Sequence, residues 1–326
     1  MIDFFDRLFT KIENRNKFLS KLKFYAALRF GIKSSLNIIA PIYFFLTKDK
    51  IEHLLVVSNG YKNNSPEVIV SLTSFPARIK RVWLVIETIL RQTQKPDKII
   101  LWLSVDQFPS VYDLPSKLLN QMKRGLDIRL VDGDIKSHKK YYYALKEFPE
   151  DYILLIDDDI FYRSTMIEDL FRYAQSYPSA VIAQYCSQIK WVHNKLAPYS
   201  TWPNIIKEEV KNSNLFFGSG GGTLFPPKSL HADVLNEERF MLLTPTADDI
   251  WLNTMCRLNG TKVIKTSYFS HYLTIIHFGS DSLDSINNGN EKNESQLASI
   301  RNYYRSYFKT DPFFQDFLSS NEGGIA

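Results

Sequence analysis

Tyr152-Ile-Leu-Leu-Ile-Asp-Asp-Asp-Ile160 is the stretch from which the fold is read. Its apolar run, Ile153 to Ile156, has the composition of a strand buried on both faces, and it leads straight into Asp157, Asp158 and Asp159. Such a strand delivers carboxylates to a sheet edge, where ligands bind in open α/β sheets. Three adjacent carboxylates repel one another, so the cluster calls for full solvation or for a cation. Hard divalent ions such as Mg2+ and Mn2+ take oxygen ligands. A polar turn after a strand, where Asp is common, is the competing reading.

Working outward, strand and helix patterns alternate. Glu67 to Leu72, Lys98 to Val105 and Asp127 to Val131 read as strands before Tyr152 to Ile156. Between them Arg81 to Gln92, Leu118 to Arg124 and Ser137 to Glu147 read as helices, the first with Val82, Val85, Ile86, Ile89 and Leu90 on one face. This alternation predicts an α/β fold with a mostly parallel sheet flanked by helices. Right-handed crossovers place the strand ends on one edge. Thr73, Asp106, Asp132 or Asp134, and Asp157 to Asp159 are then expected in one cleft. Neither G-x-G-x-x-G nor G-x-x-x-x-G-K-[ST] follows a strand, which counts against a dinucleotide-binding dehydrogenase and a P-loop enzyme. Any diphosphate has to be met by metal and basic residues. Lys136, His138, Lys139 and Lys140, at an expected helix start, suit that task, although charges there are often simply solvated.

The chain has 326 residues, 44% of them hydrophobic and 23% charged, an ordinary globular balance. Aromatics are abundant, with 23 Phe and 18 Tyr. They suit a core or a sugar-stacking surface alike. Cys186 and Cys256 lack metal-ligand spacing and imply no disulfide framework, so a reducing compartment is expected. Residues 1–65 read as a basic helical extension. Eight Lys or Arg face three acids between Met1 and Lys33, with Phe5, Leu8, Phe9, Ile12, Phe18, Leu19, Leu22 and Tyr25 at helical spacing. A basic amphipathic helix suits an anionic membrane surface; a stripe docked on the protein itself is the alternative. The run Ile38 to Leu46, interrupted by Pro41, is too short for a spanning helix of ~20 residues. A cytoplasmic protein, peripheral on the inner face of a membrane, is the expectation. Residues 66–285 form the expected catalytic domain and 286–326 a C-terminal loop and helix, with Ser58 to Pro66 as spacer and Ser285 to Ser295 as loop.

Further along, Ala180 to Tyr185 and Lys262 to Thr266 read as strands. The aromatic, turn-rich stretch with Trp191, His193, Tyr199 and Trp202 contains rings able to stack on sugars or to fill a core. Phe217-Gly-Ser-Gly-Gly-Gly-Thr-Leu-Phe225 permits close backbone approach to a ligand, or serves as a hinge. Asp248 and Asp249 open a helix, where acids are favourable for capping and dipole reasons alone. His271 and His277 lie late, beside apolar residues.

Val68-Ile-Val-Ser-Leu-Thr-Ser-Phe-Pro76, a helix ending Ile-Leu-Arg-Gln-Thr, Pro96-Asp-Lys-Ile-Ile-Leu-Trp-Leu103 and Leu154-Leu-Ile-Asp-Asp-Asp159 together resemble, in order and spacing, nucleotide-sugar glycosyltransferases of the GT-A fold. The similarity is to bacterial family 2 type enzymes and related capsule or lipopolysaccharide transferases, over Glu67 to Asp284. The resemblance implies a UDP-sugar donor, a glycan or lipid-linked glycan acceptor, no nucleic acid, and Mn2+ or Mg2+ on Asp157 and Asp159. It implies Thr73, Arg78 and Asp106 near the nucleoside, with Lys136, Lys139, Asp157 and Asp158 also on the nucleotide. Gly220, Gly221 and Gly222, with Trp191, would border donor sugar and acceptor. Asp248 and Asp249 resemble the acidic pair that supplies the general base of inverting enzymes, Asp249 first. His277 resembles the late third metal ligand of some families, and here the chain departs from the family 2 pattern. A sugar-phosphate nucleotidyltransferase and a non-catalytic glycan- or membrane-binding protein are the alternatives.

Overall fold

Two helices, α1 (Ile2–Glu13) and α2 (Lys23–Leu46), precede the first strand. The chain then runs β1 (Val68–Thr73), α3 (Ile79–Leu90), β2 (Lys98–Ser104), α4 (Ser116–Met122), β3 (Leu126–Val131), α5 (Lys139–Glu147) and β4 (Tyr152–Ile156). After α6 (Met166–Ser176) and β5 (Val181–Ala183) come short strands β6 (Cys186–Gln188), β7 (Trp191–Val192), β8 (Lys195–Leu196), β9 (Asn204–Ile205), β10 (Val210–Lys211) and β11 (Leu215–Phe217). The last elements are β12 (Gly221–Phe225), α7 (Glu237–Leu243), α8 (Asp248–Leu258), β13 (Val263–Lys265) and α9 (Gly289–Phe308). This computed structural model describes residues 1–13, 23–47, 66–206, 209–211, 214–268, 271–277, 289–309 and 311–314. The spacer expected over 58–65 lies outside them.

The main sheet has the order β10-β13-β5-β12-β4-β1-β2-β3. Strands β1 to β4 pair in parallel, as their β-branched, doubly buried composition predicts. Their order 3-2-1-4 reverses direction between β1 and β4, and at such a switch point the carboxyl ends of strands open a crevice. The two-sided core follows from that topology. Trp102 and Ile153 face a cluster under α5, α8 and α9, while Val70, Leu154 and Ile156 face α3 and α6.

Three expectations are corrected. The Gly-rich stretch does not form a loop throughout: from Gly221 it becomes β12, antiparallel between β4 and β5, with a register shift at Gly221/Thr223. Gly222 sits there at φ +92°, a left-handed conformation that favours glycine, so the strand is hidden behind residues that lack strand propensity. The Asn-rich loop expected over Ser285 to Ser295 is helical from Gly289. The apolar stripe of α1 is not free for a lipid surface. Phe5, Phe9 and Ile12 are buried, Phe9 stacks on His271 at 4.9 Å, and Asp3 accepts hydrogen bonds from the Ser164 amide at 2.8 Å and hydroxyl at 2.6 Å. His271 also pairs with Asp6 at 3.1 Å, so it anchors α1.

Helix α2 continues through Pro41, whose missing N–H removes one helical bond. Its inner face, Ile32, Leu36, Ala40 and Phe44, joins the same core as β1 and α3. The extension is therefore part of the domain's core. Leu36→Ala, at a fully buried site, is expected to lower stability by about 2–5 kcal/mol in urea unfolding followed by tryptophan fluorescence; an unchanged midpoint would show that the helix is not built into the domain.

Candidate active site

A cleft of about 830 Å³ opens at the carboxyl ends of β1 and β4. Its walls bring together Thr73, Arg78, Lys136, Lys139, Asp157, Asp158, Asp159, Asp248, Asp249 and His277, separated in sequence by up to about two hundred residues. Three expected elements lie elsewhere. Asp106 is exposed and is not among the lining residues, where its neighbour Gln107 stands instead. Trp191 donates its indole N–H to the Phe313 carbonyl at 3.0 Å, beside a separate cavity. Gly220, Gly221 and Gly222 are buried behind the wall.

The glycines nevertheless shape it. A Cβ on Gly220 would fall 1.8 Å from Oδ1 of Asp157, and one on Gly221 2.3 Å from the Tyr185 ring. The Gly220 carbonyl accepts from the Asp157 amide at 3.0 Å and from the Tyr162 hydroxyl at 2.5 Å. Asp157 is thus seated against bare backbone at the end of β4. The middle carboxylate is the most enclosed of the three: Asp158 is buried, accepting from Ser74 Oγ at 2.6 Å and pairing with Arg78 Nη1 at 2.8 Å. It ties the β1–α3 loop to β4. Arg78 also reaches Asp159 at 2.9 Å. Burial, then repulsion from Asp157, pushes Asp159 up to about 7 against the pull of Arg78.

Lys140 sits between the two acidic groups. Its buried ammonium donates to Asp157 Oδ1 at 2.8 Å and reaches Asp248 Oδ2 at 2.9 Å. Two carboxylates hold it firmly protonated despite its burial. Opposite, Ser219 donates its hydroxyl to Asp248 Oδ2 and its amide to Asp249 Oδ1, both at 2.7 Å. Asn253 donates to the Phe217 and Asp249 carbonyls, each at 2.8 Å, fixing the first turn of α8. Burial works to raise the Asp248 pKa, but Lys140, His138 and Ser219 overcome it and hold the carboxyl well below the usual range. Asp249 goes the other way, raised by burial and by the charge of Asp248. The pair is divided into a fixed anion and a partly exposed carboxylate with raised proton affinity.

The basic turn is less free than its sequence implies. Lys136 pairs with Asp134 at 2.5 Å and Lys139 pairs with the same carboxylate, although Lys136 remains largely exposed. His138 is a core residue, stacked on Phe240 at 4.4 Å, with Nε2 2.7 Å from the Thr244 carbonyl and Nδ1 2.8 Å from the Tyr141 hydroxyl. Burial lowers it to about 4, so it is neutral and is not a diphosphate ligand. Thr73 donates its hydroxyl to the Trp102 carbonyl at 2.8 Å, so that proton is already engaged.

Among the described residues no group of three or more His, Cys, Asp or Glu side chains is placed to hold a metal ion. Asp157 and Asp159 stand on the cleft wall, and the Ile275 amide donates to the Asp159 carbonyl at 2.7 Å while the Phe161 amide donates to that of Leu273 at 2.8 Å. This antiparallel run sets Thr274 against Ile160, and His277 lines the same cleft. Among the described residues, buried His277 Nε2 has no hydrogen-bond partner, nor have Arg78 Nε, Gln107 Oε1 and Ser137 Oγ in the same cleft. Burial and the neighbouring Arg78 and Arg81 lower His277 to about 4, which leaves a neutral imidazole of the kind metals bind. Carboxylate and neutral imidazole are donor types that divalent ions take, and here Asp157 and Asp159 are already paired with Lys140 and Arg78. Gln107 and Ser137, absent from the sequence-based candidates, carry no motif that marks them. Only their orphaned atoms do.

No family model and no curated protein matches the chain. Among solved structures it is similar to S. aureus TarS residues 1–349 (13% identity, TM-score 0.44, covering 63% of this chain and 59% of that one). The same S. aureus TarS fragment in complex with UDP matches at 13% identity, with TM-score 0.41 and the same coverage. A 4-diphosphocytidyl-2C-methyl-D-erythritol synthase matches at 10% identity and TM-score 0.34, covering 54% of this chain and 83% of that one. The chain thus spans well under two thirds of the TarS structures' own length.

Gly220→Ala is expected to displace the Asp157 carboxylate and to destabilise the chain, since the added methyl would overlap that side chain and part it from Lys140; urea unfolding would reveal a cost of about 1–3 kcal/mol. For Asp159 the folded pKa lies above the unfolded value of ~3.9, so its contribution to stability is full below that value and is lost as pH rises through about 7. In EDTA, Asp159→Asn should therefore gain on the parent between about pH 4 and pH 8. A constant difference over that range would contradict the strained carboxylate.

Proposed function

We propose that the chain is a divalent-cation-dependent glycosyltransferase that moves a sugar from a UDP-sugar to a hydroxyl of a surface-glycan acceptor, with inversion. The observation that carries this reading is the meeting, in one cleft, of a carboxylate pair at the end of β4 and a second pair at the start of α8 whose members have opposite proton affinities. Environments that push two titratable neighbours apart are the signature of assigned acid and base roles. Orphaned polar atoms around the cleft add that it is built for a polar ligand.

Asp157, Asp159 and His277 would hold the cation, which supplies positive charge to the diphosphate as it leaves. The exposed ammonium of Lys136 can swing to the same phosphates from its position at the helix start. Asp249 takes the proton of the acceptor hydroxyl as that oxygen bonds to the anomeric carbon, and the electron pair of the breaking C–O bond departs with the diphosphate. Asp248, paired with Lys140, remains charged throughout and raises the basicity of its neighbour. Four carboxylates with fixed partners in one cleft would be superfluous in a purely binding protein.

The test is turnover of a panel of UDP-sugars, by hydrolysis or transfer, with and without Mn2+. Asp249→Asn should lower kcat by about 10²–10⁴-fold with nucleotide affinity nearly unchanged, whereas Asp159→Asn should remove the Mn2+ dependence of UDP binding measured by calorimetry. Absence of any turnover together with metal-independent nucleotide binding would overturn the proposal.

A further inference from the structure

Four consecutive residues between β11 and β12 touch, in order, Tyr272, Asp249, Asp157 and Tyr185. A Cβ on Gly218 would lie 3.4 Å from the Tyr272 hydroxyl, and the Ser219 amide donates to Asp249 Oδ1 at 2.7 Å. A Cβ on Gly220 would overlap Asp157, and one on Gly221 the Tyr185 ring. Successive Cα atoms are about 3.8 Å apart, so a pair of tyrosines stands one residue along from two half-buried carboxylates of the cleft. The pair is rigidly built. Tyr185 and Tyr272 stack at 4.0 Å with their planes 10° apart, and buried Tyr185 donates its hydroxyl to the His271 carbonyl while its own carbonyl accepts from the Gly218 amide at 3.1 Å. Tyr272, the outer ring, is 41% exposed.

We infer that Tyr272, with Tyr199 beside it, seats a pyranoside ring whose hydroxyl is presented to Asp249. Tyr199 reaches Asp249 from another element. Its ring packs on Phe216 at 5.3 Å and Trp202 at 5.1 Å, and the next residue, Phe217, donates its amide to Asn253, one turn along α8 from Asp249. Both phenols are raised, Tyr272 by burial and then by Tyr185, Asp249 and Asp157, Tyr199 by burial and then by Asp249 and Asp248. The same carboxylate thus acts on both rings. A pyranose carries a face of C–H bonds that lies flat on an aromatic ring and a rim of hydroxyls that donate to carboxylates. An open-chain polyol has the hydroxyls without the face. The aromatic seat expected at Trp191 falls to Tyr272 instead.

Of the described residues, Asp157 and Asp249 line the cleft of about 830 Å³ while Tyr185, Tyr199 and Tyr272 do not. A ligand in the cleft and a ring on Tyr272 would therefore meet at these carboxylates. Such a meeting brings two reactants together at a proton acceptor. That the seated ring is the acceptor of the transferred sugar rests on the transfer reading; its binding does not.

Saturation-transfer NMR of the full chain with the methyl pyranosides of glucose, galactose and N-acetylglucosamine, in both anomers, reads this binding without turnover; ribitol is the open-chain control. At least one pyranoside should receive saturation through its ring C–H protons, and ribitol should not. Tyr272→Leu, which keeps bulk and removes the aromatic face, should weaken that binding by about tenfold. Tyr272→Phe, which keeps the face, should stay within about twofold of the parent. Urea midpoints report whether both variants fold. As a check that retains a ring, Tyr272→Trp should gain an emission change on adding the bound pyranoside that the parent lacks. A parent that binds no pyranoside or binds ribitol equally, a folded Leu variant that binds like the parent, a Phe variant that falls with it, or a silent Trp variant would each overturn the inference. A parent that seats a pyranoside through Tyr272 but turns over no UDP-sugar would count against the transfer reading alone. One that hydrolyses UDP-sugars without binding a pyranoside would count against the seat alone.

Discussion

The site depends on one buried ammonium. Lys140 stands at the start of α5, and its carbonyl accepts a 2.5 Å hydrogen bond from Ser71 in β1 while its amine joins Asp157 after β4 to Asp248 at the head of α8. Three elements distant in sequence are registered to a single charge. Taking that charge out of water costs several kcal/mol, and only good geometry to both carboxylates offsets the cost. With one partner removed, the other would be left as an uncompensated buried ion. The same contact helps to sort the second pair, because burial raises the proton affinity of Asp249 and the negative charge fixed on Asp248 raises it further.

Much of the fold is legible where burial writes directly into composition. Strand β4 has the expected bounds, and β1, β2 and β3 lie within a residue or two of theirs, because doubly buried parallel strands are continuous apolar runs. Legibility fails where a residue is chosen for contact and not for propensity. Gly220 to Gly222 read as a loop because glycine is permissive, yet the absent side chains serve Asp157, Tyr185 and a φ of +92° inside a sheet. His138 read as a diphosphate ligand because basic residues surround it, and only the fold reveals Phe240 stacked against its ring. Trp191 and Asp106 were expected by residue type and approximate position. Neither property carries direction, and the cleft takes Gln107 instead.

The acidic triplet shows the same distinction within three residues. Asp158 and Asp159 form a turn directly after β4, and all three carboxylates border the cleft. The sequence signals the acids but not the reason for the third. Asp158 answers Arg78 and Ser74, anchoring the β1–α3 loop beneath the cleft. Arg78 in turn reaches Asp159, so one guanidinium serves a structural carboxylate and a cleft carboxylate together. The loop cannot move without disturbing the acidic wall.

The N-terminal helices belong to the same network, although their composition marks them as an appendage. Asn37 of α2 and Arg81 of α3 converge on the segment that ends in His277: Arg81 donates to the Ile276 carbonyl at 2.6 Å and to Asn37 Oδ1 at 3.1 Å. His271, at the other end of that segment, is held by Phe9 and Asp6 of α1. Residues 271–277 are thus tied to both N-terminal helices, and among them Leu273 and Ile275 bond to Phe161 and Asp159. His277 lines the cleft on a stretch held by Asn37, in a helix more than two hundred residues earlier in the chain. The hydrogen bonds of Asn37 thereby join α2 to the cleft wall.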